Sequence, residues 1–273
     1  MSSTIERKTC IAPDGVPIVY STAGSREPAI VFIHGGLANR GFWDGELNGF
    51  AARHRVIAPD LPGHGESGAS RTTWGIPEFG TDICSVLETE GVERAVLFGN
   101  SMGGPVAVEA ALRLRSKVLG VVGVDTFHSL TYTISLEDAQ KQADAFRANY
   151  AASLHQMGQK LFHADADPVV MADAECRMAQ TAPEVAYKMF LSFAGYSTSE
   201  SVRRLNAPLR AINGDLYPTD VGGVRKAKPD FDAVIMKHMG HYPMLERPQE
   251  FDEHVADVIR FLLKQIESCQ ALG

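Results

Sequence analysis

The chain has 273 residues, 45% of them hydrophobic and 22% charged, with 26 Lys and Arg against 33 Asp and Glu for a formal net charge of -7. That length and balance suit one large globular domain with room for an insertion; the acidic excess, with no basic cluster, argues against a nucleic-acid partner, and no apolar run approaches the roughly 20 residues that span a bilayer. The four cysteines, Cys10, Cys84, Cys176 and Cys269, are scattered with no C-x-x-C pair, which argues against a zinc site or a redox motif and for a reducing, cytoplasmic setting.

Met1–Cys10 carries Glu6, Arg7 and Lys8 without an apolar core and does not read as a secretory leader. Thr9–Ala12 and Val16–Tyr20 are short β-prone runs around Pro13-Asp14-Gly15 and predict a hairpin. Apolar runs then recur at Ala29–Ile33, Arg55–Ala58, Ala95–Phe98, Val118–Val124, Leu209–Ile212 and Ala233–Met236. Their continuous hydrophobicity suits strands buried on both faces of a sheet. Helical stretches separate them, notably Ile76–Glu90 and Met102–Leu114, and Gln249–Gln270 closes the chain. The alternation predicts an α/β fold, a mostly parallel doubly wound sheet with helices on both faces. One interval breaks the rhythm: between Thr126 and Leu205 no strand is evident, and helical patches follow at Leu136–Ala152, Leu154–Phe162, Pro168–Thr181 and Pro183–Phe193. Pro168 and Pro183 stand where a helix takes its first turn. The chain divides accordingly into a core of residues 1–127 and 206–273 and a helical insertion of residues 128–205.

Gly99-Asn100-Ser101-Met102-Gly103 follows Ala95–Phe98 directly and runs into a helix. A serine on such a sharp strand-to-helix turn projects its hydroxyl away from the backbone, and flanking glycines permit the close approach. Ser101 is the candidate nucleophile, and the Met102 amide at the helix start is a candidate oxyanion donor. A serine hydroxyl needs a base. His241, in Met239-Gly240-His241-Tyr242-Pro243 after the last strand, is the candidate, with His238 as the alternative. An acid must hold the imidazole. Asp125 ends the strand Val118–Val124 at the same sheet edge as Ser101, and Asp215, in Ile212-Asn213-Gly214-Asp215-Leu216-Tyr217-Pro218, is the alternative acid; Asp220 is a third.

These motifs, together with His34-Gly35-Gly36 and Asp60-Leu61-Pro62-Gly63-His64-Gly65 after earlier strands, occur in the order found in α/β-hydrolases, and the chain resembles that family over nearly its whole length. The resemblance implies an α/β-hydrolase fold with the helical interval as its cap, or lid, and serine esterase chemistry without a cofactor or a metal. It implies Gly36 as the second oxyanion donor, with Leu37 as the neighbour that could hold that role, and structural roles for His34 and His64. The family's usual acid stands three residues past a glycine, a position that here is Tyr217. Some members, haloalkane dehalogenases among them, place the acid at the earlier strand, where this chain has Asp125; Asp125 is therefore preferred to Asp215. A dehalogenase itself would have Asp in place of Ser101.

The insertion is rich in adaptable apolar side chains, including Phe146, Met157, Met178, Met189, Phe190, Phe193 and Tyr196. Over a serine nucleophile these favour a hydrophobic acyl or alcohol group. The expected activity is hydrolysis of a small-molecule carboxylic ester through an acyl-serine. A second reading is C–C bond hydrolysis of a diketone acid, with Arg40 and Arg177 meeting its carboxylates, or cofactor-free perhydrolysis. A third is a hydrolase-like small-molecule receptor. Trp43 is read either as a brace for the Gly36 loop or as core.

Overall fold

The computed structural model describes residues 4–131 and 133–270, the side chains of residues 266–270 excepted. Met1–Ser3 of the N-terminal segment and the side chain of Cys269 lie outside the described residues. β1 (Glu6–Ile11) and β2 (Pro17–Ala23) form the expected hairpin, each longer than its β-prone run, and pair antiparallel from Glu6↔Thr22 to Ile11↔Pro17. The remaining strands are β3 (Ala29–Ile33), β4 (Val56–Pro59), β5 (Ala95–Asn100), β6 (Val118–Val124), β7 (Leu209–Gly214) and β8 (Asp232–Met236). They make one sheet of eight strands in the order β1-β2-β4-β3-β5-β6-β7-β8. The hairpin joins it antiparallel through β2 and β4, and every pair from β4 to β8 is parallel. Every residue of β3, β4, β5 and β6 is buried, which is why these strands read as unbroken apolar runs.

The helices of the core are α1 (Asp44–Phe50), α2 (Ile76–Thr89) and α3 (Gly103–Leu114). The strand order reverses between β3 and β5. Right-handed crossovers therefore carry α1 to one face of the sheet and α2 and α3, which pack on each other, to the opposite face. Crevices at such a reversal, outside the carboxyl ends of the strands, are where open α/β sheets bind ligands. The carboxyl ends of β3 and β5 lead into Gly35-Gly36 and Ser101.

Between β6 and β7 lie α4 (Leu136–Ala148), α5 (Tyr150–Leu161), α6 (Pro168–Met178), α7 (Pro183–Ser192) and α8 (Thr198–Arg204), with no strand among the described residues. The helix expected over Leu136–Ala152 stops earlier. Asn149 leaves helical geometry and its side chain accepts from the Ala152 amide at 3.1 Å, capping the next helix. α8 was not expected, and Ser197 caps it in the same way. After β7 come α9 (Val221–Arg225), then β8, α10 (Pro243–Glu246) and α11 (Pro248–Gln270), which packs against β6, β7 and α1. No described helix is long and apolar enough to cross a membrane.

Candidate active site

β5 ends in a turn so tight that its neighbours must lack side chains. A Cβ on Gly99 would stand 2.0 Å from the Gly103 carbonyl oxygen, and one on Gly103 would stand 2.4 Å from that of Ile33. Ser101 sits between them at φ +51, the left-handed region that a non-glycine residue occupies only when its surroundings hold it there. Its amide is tied to the Val124 carbonyl at 3.1 Å, and its own carbonyl accepts from Gly104 at 3.0 Å. Met102 follows as the cap residue of α3, which places its amide at the positive end of that helix.

Asp125 follows β6 at φ +46 and is almost wholly buried. Its Oδ2 lies 2.5 Å from His241 Nδ1, while Oδ1 accepts the Gly214 amide at 2.9 Å. His128 Nε2 approaches Oδ1 at 3.3 Å, off the line of a good hydrogen bond. Burial pushes this carboxyl up, but His128 and His241 outweigh it and hold the group down at about 2. Asp125 is therefore an anion at neutral pH, facing the imidazole.

The other acids expected from sequence stand elsewhere. Asp215 accepts the Met239 amide at 3.2 Å and lies 3.9 Å from Lys237, so it braces the loop before His241 without touching that ring. Asp220 caps α9 by accepting from Gly223. At the family's usual acid position, Tyr217 donates its hydroxyl to the Lys160 carbonyl at 2.8 Å. His238, the alternative base, is exposed and faces Asp165.

Gly36 faces the same cavity as Ser101, Met102 and His241. Leu37 is fully buried at φ +64, its carbonyl held by the Thr181 hydroxyl at 3.0 Å. His34 spans the base of this loop, accepting the Leu61 amide on Nε2 at 2.9 Å and meeting the Gly35 carbonyl through Nδ1. Burial lowers its pKa to about 4, and that of the neighbouring His64 to about 3, so both are neutral structural rings. Trp43 is core: it is buried and stacks on Phe32 at 5.0 Å.

The cavity measures about 520 Å³. The insertion contributes Met157, Leu161, Met189, Phe190, Phe193 and Tyr196 to its wall. Other apolar residues of the insertion serve its own packing: Phe146 lies against Phe190 with ring centroids 4.7 Å apart, and Met178 is buried. No Lys, Arg, Asp or Glu lines the cavity among the described residues. Arg40 is bound to Asp60 and Glu66, and Arg177 donates to the Gly41 carbonyl at 2.7 Å and pairs with Asp173. Neither arginine is available to a carboxylate substrate, so the feature that favoured a diketone acid is absent.

Sequence reasoning missed the residues that lock these loops together. Asn100 donates to the carbonyls of Val124 and His241, at 3.0 and 2.9 Å, joining the Ser101 turn, the strand that ends at Asp125 and the His241 loop. Asn213 holds the Thr126 amide and carbonyl and donates to Thr219 Oγ1, which in turn lies 3.0 Å from His128 Nδ1. That arrangement lets Thr219 donate to Nδ1, which leaves the His128 proton on Nε2, toward Asp125. Asn100 was visible inside its motif; nothing in sequence announced the pairing of Asn213 with residues 87 positions away.

Several known proteins share this arrangement of elements. An esterase from Thermogutta terrifontis superposes with a TM-score of 0.83 at 20% identity, covering 94% of this chain and 99% of that one. An esterase from Exiguobacterium antarcticum gives 0.84 at 16% identity, covering 93% and 99%. At such identities the likeness is one of fold. In sequence, the dihydrolipoyllysine-residue acetyltransferase component of the acetoin cleaving system of Cupriavidus necator is 29% identical over 136 residues, 48% of this chain and 36% of that protein. The matched part is thus about a third of that relative's length. The model described as alpha/beta hydrolase family matches residues 30–254, from β3 into α11, and by that match the chain belongs to the alpha/beta hydrolase family.

Proposed function

We propose that the protein is a cofactor-independent serine hydrolase of carboxylic esters, with residues 128–205 as a cap over its substrate cavity. Ser101 Oγ attacks the ester carbonyl carbon while His241 takes its proton. Asp125, ionised and hydrogen-bonded to Nδ1, fixes the tautomer and stabilises the imidazolium that forms. The amides of Gly36 and Met102 receive the oxyanion. Collapse of the tetrahedral intermediate expels the alcohol, which leaves with the proton from His241. Water, activated by the same imidazole, then cleaves the acyl-serine and releases the acid.

The observation that carries this reading is the 2.5 Å contact between Asp125 and a histidine that shares its cavity with Ser101. The cavity supports a neutral substrate: its wall mixes apolar side chains with polar ones such as Gln142 and Thr198 and carries no Lys, Arg, Asp or Glu among the described residues, so an ionised group buried there would have no ion-pair partner. Uncharged p-nitrophenyl esters of graded acyl length test the proposal. The wild type should release p-nitrophenol, and Ser101→Ala should lower kcat by at least about 10⁴-fold while still folding. Turnover unchanged in that variant overturns the nucleophile assignment.

A further inference from the structure

We infer that His163, Asp165 and His238 form a binding site for a zinc-class divalent cation on the seam between the helical insertion and the loop that carries His241. Each of the three offers one ligand atom, and these atoms lie within 4.8 Å of one another. Asp165 Oδ2 stands 3.3 Å from His163 Nδ1 and 3.5 Å from His238 Nδ1. Zinc bonds to imidazole nitrogen and carboxylate oxygen at about 2.0–2.1 Å, so the edge of its coordination tetrahedron is about 3.3–3.4 Å. Two edges of the cluster already match that figure. The imidazole rings meet edge to face with centroids 5.4 Å apart, and Asp165 and His238 are exposed, which leaves room for water as a fourth ligand.

Other contacts of these side chains favour the same reading. Among the described residues no Lys or Arg pairs with the Asp165 carboxylate; the side chains within 4 Å that face it are the two imidazoles. His238 holds φ +52, an unusual conformation for a residue with a side chain, and its Nδ1 lies 3.5 Å from Asp165. The one bond a cation would displace is the 3.2 Å donation from the Asp165 amide to His163 Nδ1. Two imidazoles and one carboxylate prefer zinc, cobalt, nickel or copper to the harder magnesium and calcium.

The position gives the cation leverage. His163 belongs to the segment between α5 and α6, two residues past Leu161, whose carbonyl accepts the His241 amide at 2.6 Å. His238 lies between β8 and α10, three residues before His241. Bound metal therefore crosslinks the insertion to the core beside the candidate base, and stabilises the folded state by mass action.

Calorimetric titration and thermal melting of tag-free, EDTA-stripped protein test this with zinc chloride as the probe. The wild type should bind one zinc ion per chain and melt at a higher temperature with zinc, with no shift from magnesium or calcium. Asp165→Asn and His238→Ala should each weaken binding by at least about tenfold and remove the shift. His155→Ala, which alters the separate exposed His155–Glu175 pair, should leave both intact. No binding heat at millimolar zinc, or zinc binding unchanged in both site variants, overturns the proposal.

Discussion

Replacing Asp125 with asparagine keeps the outline of the side chain and removes its charge. The His241 ring then loses the partner that fixes its Nδ1 proton, and ester turnover should fall by on the order of 10⁴-fold. Asp215→Asn, at a side chain that meets the backbone of Met239 and His238 and the Lys237 side chain, should keep turnover close to wild type. Normal activity in Asp125→Asn with a large loss in Asp215→Asn would reverse the two roles. The same charge bears on acid stability. The Asp125 pKa is depressed from 3.8 to about 2, so its stabilising contribution is whole above about pH 4 and is lost as pH falls toward 2. By linkage it amounts to about 2 kcal/mol, which should appear as a difference between wild-type and Asp125→Asn denaturation midpoints at neutral pH that shrinks in acid. Sequence alone put Asp125 at the sheet edge it occupies because a residue ending a parallel strand has few other places to go. The residue pattern left Asp215 open beside it, and the preference for Asp125 came from the family resemblance; the loop paths separate the two, Asp125 turning back at φ +46 toward His241 while Asp215 accepts the Met239 amide. His128 was invisible for a similar reason, its role arising from Thr219 and Asn213 on the far side of the insertion.

Among the elements, α2 depends on one buried ion pair. Arg71, in the loop before it, makes two 2.8 Å bonds to Asp82 within the helix, with both side chains about 2% exposed, and a further bond to Asp14 in the β1–β2 turn. Arg71→Met leaves the Asp82 carboxylate buried without its cation and should destabilise the fold by about 3–5 kcal/mol in urea denaturation. A change below about 1 kcal/mol would mean that water replaces the guanidinium. Strands of the core were legible because burial on both faces writes an unbroken apolar run. The helices of the insertion were legible as helices but less so in their limits, because the polar stretch across Asn149 carries no apolar break and the stop is made by one capping side chain. The short α1, α9 and α10 escaped notice because five or so residues hold too little periodicity to register.

At the scale of the molecule, pH acts from both sides. Glu46 on α1 is buried with neither carboxylate oxygen partnered, and burial, then the nearby charges of Asp252 and Asp44, push its pKa well above 4.5. The folded state therefore prefers the protonated acid. Stability is whole below the unfolded value, near pH 4.3, and declines as pH rises through the folded one. Glu46→Gln should flatten that decline in melting temperatures followed from about pH 4 to about pH 9, and an unchanged slope would assign it to other groups. The doubly wound architecture was readable from the alternation of runs; the strand order was not, since pairing is settled by crossovers and not by local pattern. The proposed cation site lay hidden likewise, with Asp165 and His238 standing 73 positions apart in a chain whose cysteines suggested no metal. Asn100 pairs with Val124, so Ser101 and Asp125 hang from neighbouring ends of a single β5–α3–β6 unit that is complete before the insertion begins. The proposed nucleophile and acid thus sit on one contiguous stretch of chain. Chain exchanged between β6 and β7 would leave the backbone of that unit in place and would replace His128, the insertion's own contact with Asp125.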